Sequence, residues 1–125
     1  MSVTAGYKAY LEELFDVLPG STVRRMFGGA GVFRHGLMYA LSLDDGKICL
    51  KADEINIPDF EAEGCGPWQY ERNGKLLDMG YWQMPERLAD DPDELKIWAE
   101  KAFDVAIRAD ERKYPKQRKF TMDPE

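Results

Sequence analysis

The stretch Val23-Arg24-Arg25-Met26-Phe27-Gly28-Gly29-Ala30-Gly31 is where chemistry would first be sought. Glycine-rich backbone can turn several N–H groups toward an anion, and Arg24 and Arg25 would add charge beside it. The phosphate-loop spacing that ends in Gly-Lys-Ser/Thr is absent, and so is GxGxxG. The same residues also suit a strand that bulges at Gly28-Gly29, since glycine accepts positive φ and lets another backbone come close. The bulge is the preferred reading and the anion cradle the alternative. A second cluster, Lys51-Ala52-Asp53-Glu54, sets a lysine beside two acids at a strand end. Its plainer reading is a solvated strand-to-helix turn with Asp53 as cap.

The remaining reactive side chains are sparse. His35 is the only histidine, and its place before Gly36 marks a turn residue. None of Ser2, Ser21 and Ser42 lies in a GxSxG elbow. Asp44-Asp45 and Asp90-Asp91 read as a hairpin turn and a helix cap rather than as catalytic carboxylate pairs. Cys49 and Cys65 form no CxxC, and with a single histidine there is no metal framework. The expectation is therefore a noncatalytic protein with no cofactor, its cysteines reduced. Trp68, Tyr70, Tyr81 and Trp82 fall on two strands of one hairpin, where alternation sends some inward and some outward. Cross-strand packing is their first explanation. Outward aromatics would anchor a protein partner sooner than stack bases, because their basic neighbours are confined to Arg72 and Lys75 at the turn.

The elements that must position these residues follow from periodicity. Tyr7, Tyr10, Leu11, Leu14, Phe15 and Leu18 recur at helical spacing until Pro19-Gly20. Three antiparallel strands follow as a meander: one through Val23–Phe33, bent at Gly28-Gly29; one at Leu37–Leu41 after the His35-Gly36 turn; one at Ile48–Leu50 after Asp44-Asp45-Gly46. A short helix around Ile57 and Phe60 ends at Gly64. Asn73-Gly74 predicts a type I′ turn between two further strands. The last helix opens with Asp91 as N-cap, Pro92 at its first position and Glu94 in the capping-box place. Leu95, Trp98, Ala102, Val105, Ala106 and Ala109 form its apolar face. The class is α+β: an antiparallel sheet of about five strands with flanking helices, in the order α-β-β-β-α-β-β-α.

At 125 residues with 44% hydrophobic and 32% charged residues, the chain is one domain with a core of its own. The reading is a single domain over 1–112 and a basic, flexible tail over 113–125. A net charge of −6 disfavours nucleic acid, whose binding rests on a basic footprint. No apolar run reaches the roughly 20 residues of a membrane span. The first residues lack the features of a signal peptide, so the expected location is the cytoplasm.

Several phrases taken together resemble the N-terminal domain of the TfoX/Sxy family. They are Arg24-Arg25-Met26-Phe27-Gly28-Gly29-Ala30-Gly31, Gly36-Leu37-Met38-Tyr39-Ala40-Leu41, and Leu50-Lys51-Ala52-Asp53-Glu54 with Phe60. Tyr70, Gly74-Lys75, Met79, Tyr81-Trp82, Pro85-Glu86 and Asp91-Pro92-Asp93-Glu94-Leu95 with Trp98-Ala99 continue in the same order. The match runs from about Tyr7 to Ala109. It implies a bacterial regulator related to natural competence, with a fold like that of type III secretion chaperones, a class used for protein contacts and often dimeric. The family's competence regulators carry a second, helical domain; here a short basic tail follows Ala109, so a stand-alone N-terminal domain is expected. The resemblance brings no catalytic residues. Arg24, Arg25, Gly28, Gly29, Lys51, Tyr81 and Trp82 are the candidate contacts for a protein partner or, as the alternative, for a small ligand or phosphate.

Overall fold

The computed structural model describes residues 4–26, 28–43 and 46–113, with backbone alone at 70–72 and 76–79. Helix α1 (Ala5–Leu14) is capped by Thr4, whose side chain accepts from the Tyr7 N–H at 3.1 Å. A 3-10 turn at Phe15–Val17 ends it before Pro19-Gly20. Strands β1 (Ser21–Met26), β2 (Gly29–Arg34), β3 (Leu37–Ser42) and β4 (Ile48–Lys51) follow. Helix α2 (Ile57–Ala62) precedes β5 (Pro67–Arg72) and β6 (Lys75–Gln83), and a 3-10 turn at Glu86–Asp90 leads into α3 (Pro92–Glu111).

All six strands form one antiparallel sheet in the order β1-β2-β3-β4-β6-β5. The α+β class and the flanking helices are as the sequence implies. The extra strand arises because the segment read as one bent strand is a hairpin. Met26 pairs with Gly29, and Gly28 takes φ +81°, so the chain reverses where a bulge was expected. A run of apolar side chains through Phe27 hides that reversal from a periodicity reading; Phe27 itself lies outside the described residues. His35 and Gly36 (φ +53° and +81°) and Asn73 and Gly74 (φ +54° and +78°) form the two turns predicted at those places. The Asp44-Asp45 turn lies outside the described residues. Leu43 N–H nevertheless meets the Lys47 carbonyl at 2.9 Å across that connection.

A bulge does occur, in β3. Val32 pairs with Ala40 and Phe33 with Met38, leaving Tyr39 as the extra residue. It resets the inward phase, so Leu37 and Tyr39 and then Ala40 and Ser42 are all buried. The helices cover this inward face, α3 lying across β3 and β4 and α1 against β1. Leu11, Phe15, Val32, Tyr39, Leu50, Phe60, Leu95, Ala99 and Phe103 form the core between the two layers. The Tyr39 hydroxyl sits 2.7 Å from Ser21 Oγ, which donates to the Leu18 carbonyl at 2.7 Å and ties the end of the first helical segment to the sheet.

At the start of α3, Asp91 accepts from the Glu94 N–H at 3.2 Å, as its sequence position implies. Glu94 does not complete the reciprocal box. Its carboxylate is drawn to Arg87 (2.8 Å to each of two nitrogens) and to the Trp98 indole N–H at 3.3 Å. A two-pronged guanidinium outcompetes a single backbone N–H for that carboxylate. Arg87 also grips Glu63; its bonds to Glu94, followed by the Trp98 indole bond, hold Glu94 at about pKa 2.

Candidate functional site

The arginine-glycine segment does not assemble a cradle. Gly29, Ala30 and Gly31 lie in β2, flanked on one side by β1 and on the other by β3. Successive N–H groups of an extended strand point to opposite neighbours, so these three cannot converge on one anion. The glycines serve close packing instead. A Cβ on Gly29 would collide with the Ser42 carbonyl oxygen, and one on Gly31 would lie 2.6 Å from Met38 Sδ and 2.9 Å from the Phe33 ring. Arg24 and Arg25 are also separated, because adjacent residues of a strand point to opposite faces. Arg24 stacks on Phe33, its Cζ 4.2 Å from the ring centroid. Arg25 is exposed on the helix side of the edge strand, opposite core residue Ala30.

The Lys51-Asp53-Glu54 cluster is likewise dispersed. The Asp53 carboxylate receives Nε and Nη2 of Arg108 at 2.8 and 3.0 Å, which holds its pKa below the ordinary value. It also accepts from the Ile55 N–H at 2.9 Å, so it shapes the turn before α2 and does not cap that helix. Buried Asn56 closes the same turn, accepting from Asp53 N–H at 2.8 Å and donating to the Lys51 carbonyl at 3.1 Å. Glu54 faces Arg112 at 3.8 Å.

Lys51 turns the other way, to the sheet face opposite the described helices. Lys51 and Tyr81 are register partners on β4 and β6, and the ammonium lies 4.8 Å from the Tyr81 ring centroid. The Tyr81 hydroxyl donates to the Met38 carbonyl at 3.3 Å. Burial raises the Tyr81 phenol well above its ordinary pKa, and burial with the nearby Lys113 charge lowers that of Lys51. Trp82, one residue on, projects into the helix layer, where Phe60 packs between it (6.0 Å) and Trp98 (5.0 Å). Of the two candidates, Tyr81 therefore belongs to the open face and Trp82 to the core. Trp68 is half-buried, and the Tyr70 side chain lies outside the described residues.

Where the C-terminal turn of α3 passes the strand ends, the open face continues into a groove of about 320 Å³. Met26, Phe33, Met38, Lys51 and Tyr81 line it from the sheet; Ala106, Ala109, Asp110 and Lys113 line it from α3. Asp110 is almost fully buried, and Lys113 Nζ stands 3.6 Å from its carboxylate. Sequence reasoning picked out Lys51 and Tyr81 but passed over Met26, Phe33 and Met38. The available signal was Gly31, which makes room for all three side chains. His35 stays at its turn, with its ring 6.0 Å from Phe103. Among the described residues no group of three or more His, Cys, Asp or Glu side chains is placed to hold a metal. No described helix is long and apolar enough to cross a membrane. The arrangement suits binding: a cation over an aromatic ring, soft thioethers and a buried carboxylate in one concave place. No curated protein matches the chain. The family model of the TfoX N-terminal domain matches residues 13–106.

Proposed function

The chain belongs to the TfoX N-terminal domain family, and on that footing we propose that it is a noncatalytic, cytoplasmic interaction module that acts through a protein partner in the regulation of competence or transcription. The observation that carries this reading is the one-sided sheet. The described helices back one face, while the other carries Arg24 over buried Phe33 and Lys51 over buried Tyr81, with Met26 and Met38 half-buried beside them. Aromatic and arginine side chains around a soft apolar patch are the composition of protein-contact hot spots. A net charge of −6 speaks against direct contact with nucleic acid. A homodimer in solution belongs to the same reading.

Capture from native lysate with the wild-type chain, Arg24→Glu and Ile97→Glu tests it. Ile97 is exposed on α3, in the helix layer. The expected result is one partner held by wild type and Ile97→Glu and lost from Arg24→Glu. A partner lost only from Ile97→Glu would move the contact to the helix layer. Turnover of a metabolite by the purified chain, with no variant-sensitive partner, would overturn the reading.

A further inference from the structure

We propose that the groove between the C-terminal turn of α3 and the open sheet face binds a small carboxylate with an apolar body, the carboxylate on Lys51 and the body against Met26, Phe33 and Met38. The proposal goes beyond the partner reading, because it assigns a low-molecular-weight ligand to a concave site at one end of the face. Three observations converge on it.

The first is the state of Lys51. Its ammonium is drawn in over Tyr81, and among the described residues it forms no ion pair. The nearest acids of its own segment are engaged elsewhere, Asp53 by Arg108 and Glu54 by Arg112. An ammonium placed against apolar walls loses hydration that an anion would restore. Burial and the Lys113 charge disfavour its charged form, and a bound anion acts against both.

The second is the charge balance. Among the described residues that line the groove the cations are Lys51 and Lys113 and the one acid is Asp110. That lining suits an anion, while the Asp110 carboxylate beside it opposes each further negative charge. The third is the wall opposite the cations. Phe33 and two methionines, with Gly31 as the gap beneath them, offer an adaptable apolar surface that a bare inorganic anion would not use. About 320 Å³ is the lower end of the size range of small-molecule sites.

Methyl NMR on the methionines of the full chain provides the test. Phenylacetate and 4-methylvalerate are titrated against phenylacetamide and inorganic phosphate, and the comparison is repeated in Lys51→Met. Saturable shifts of the Met26 and Met38 methyls are expected with both acids. The neutral amide should bind at least about tenfold more weakly, the ratio set by one charge-assisted contact. Lys51→Met should remove that preference while leaving the fold unchanged. Silence of both methyls toward both acids up to about 10 mM, beyond which affinity has no specific meaning, overturns the proposal. So does equal binding of acid and amide by wild type, a comparison that stands even if the variant does not fold. Phosphate binding as strong as that of the acids would overturn the apolar part. A protein captured through Arg24 with silent methyls would sink this proposal alone, and the converse would sink the partner reading alone.

Discussion

Tyr39 shows how much a single side chain can carry. It is fully buried at the bulge of β3, edge-on to Phe15 and Phe103, and its hydroxyl meets Ser21. Burial raises the phenol from 10 to about 12, against the opposing pull of the Ser21 bond and the Arg34 charge. The sign follows directly. A folded pKa above the unfolded one favours the protonated phenol in the native state, so the contribution is complete below about pH 10 and is lost as the pH rises through 12. Its size is on the order of 2–3 kcal/mol. Chemical denaturation of Tyr39→Phe should show a loss of about 1–2 kcal/mol at neutral pH, from the missing hydroxyl bond. Between pH 10 and 12 the variant should lose less stability than wild type, with a residual slope from Tyr81, whose phenol is raised in the same direction. Identical alkaline profiles would refute the assignment. At this scale the sequence was readable where a residue acts through its neighbours in the chain, as Asp91 and the Asn73-Gly74 turn do. It failed on Glu94, read as the capping-box partner of Asp91 but held by Arg87 from the preceding 3-10 turn.

Among the elements, β2 is the most constrained. It lies between two strands, and Gly29 brings it so close to β3 that no Cβ fits under the Ser42 carbonyl. Gly29→Val must push β2 from β3 and should cost on the order of 1–3 kcal/mol, the usual range for overpacking. Gly28→Val meets a different obstacle of similar size, because a β-branched residue resists the positive φ of the turn. Denaturation midpoints with and without phosphate should fall for both variants and shift with phosphate for none of the chains. Specific phosphate protection of the wild type alone would restore the anion cradle. The helices and hairpin turns were legible because each is written in a local pattern. The β1–β2 reversal was not, since its apolar residues continue the strand pattern through the turn. Nor were the faces of β3, because one extra residue exchanges inward and outward positions partway along it. The open face could not be assembled from the sequence for the same reason: Lys51 and Tyr81 are brought together only by the β4–β6 pairing.

On the scale of the whole molecule, an acidic chain places Arg24 and Lys51 on the sheet face opposite the described helices, with Lys113 at its edge. Composition gave the net charge but not this asymmetry, which depends on strand register. The strand order has another effect. Among the described residues the β1–β4 meander registers with the β5–β6 hairpin at Cys49–Gln83, Leu50–Trp82 and Lys51–Tyr81, flanked by the Met84 N–H to the Ile48 carbonyl and the Ala52 N–H to the Gly80 carbonyl. The strand pairs of the hairpin before Gly80 are within the hairpin. Hydrogen exchange is therefore expected to divide the sheet into two opening units. Amides of residues 69–78 should exchange through a low-energy opening in mild denaturant, while those of β2 and β3 wait for global unfolding. A single exchange free energy across all six strands would show that three register pairs suffice to make the sheet one cooperative body. With two units, a ligand seated across Lys51 and Tyr81 would straddle their seam and slow the exchange of the hairpin from outside it.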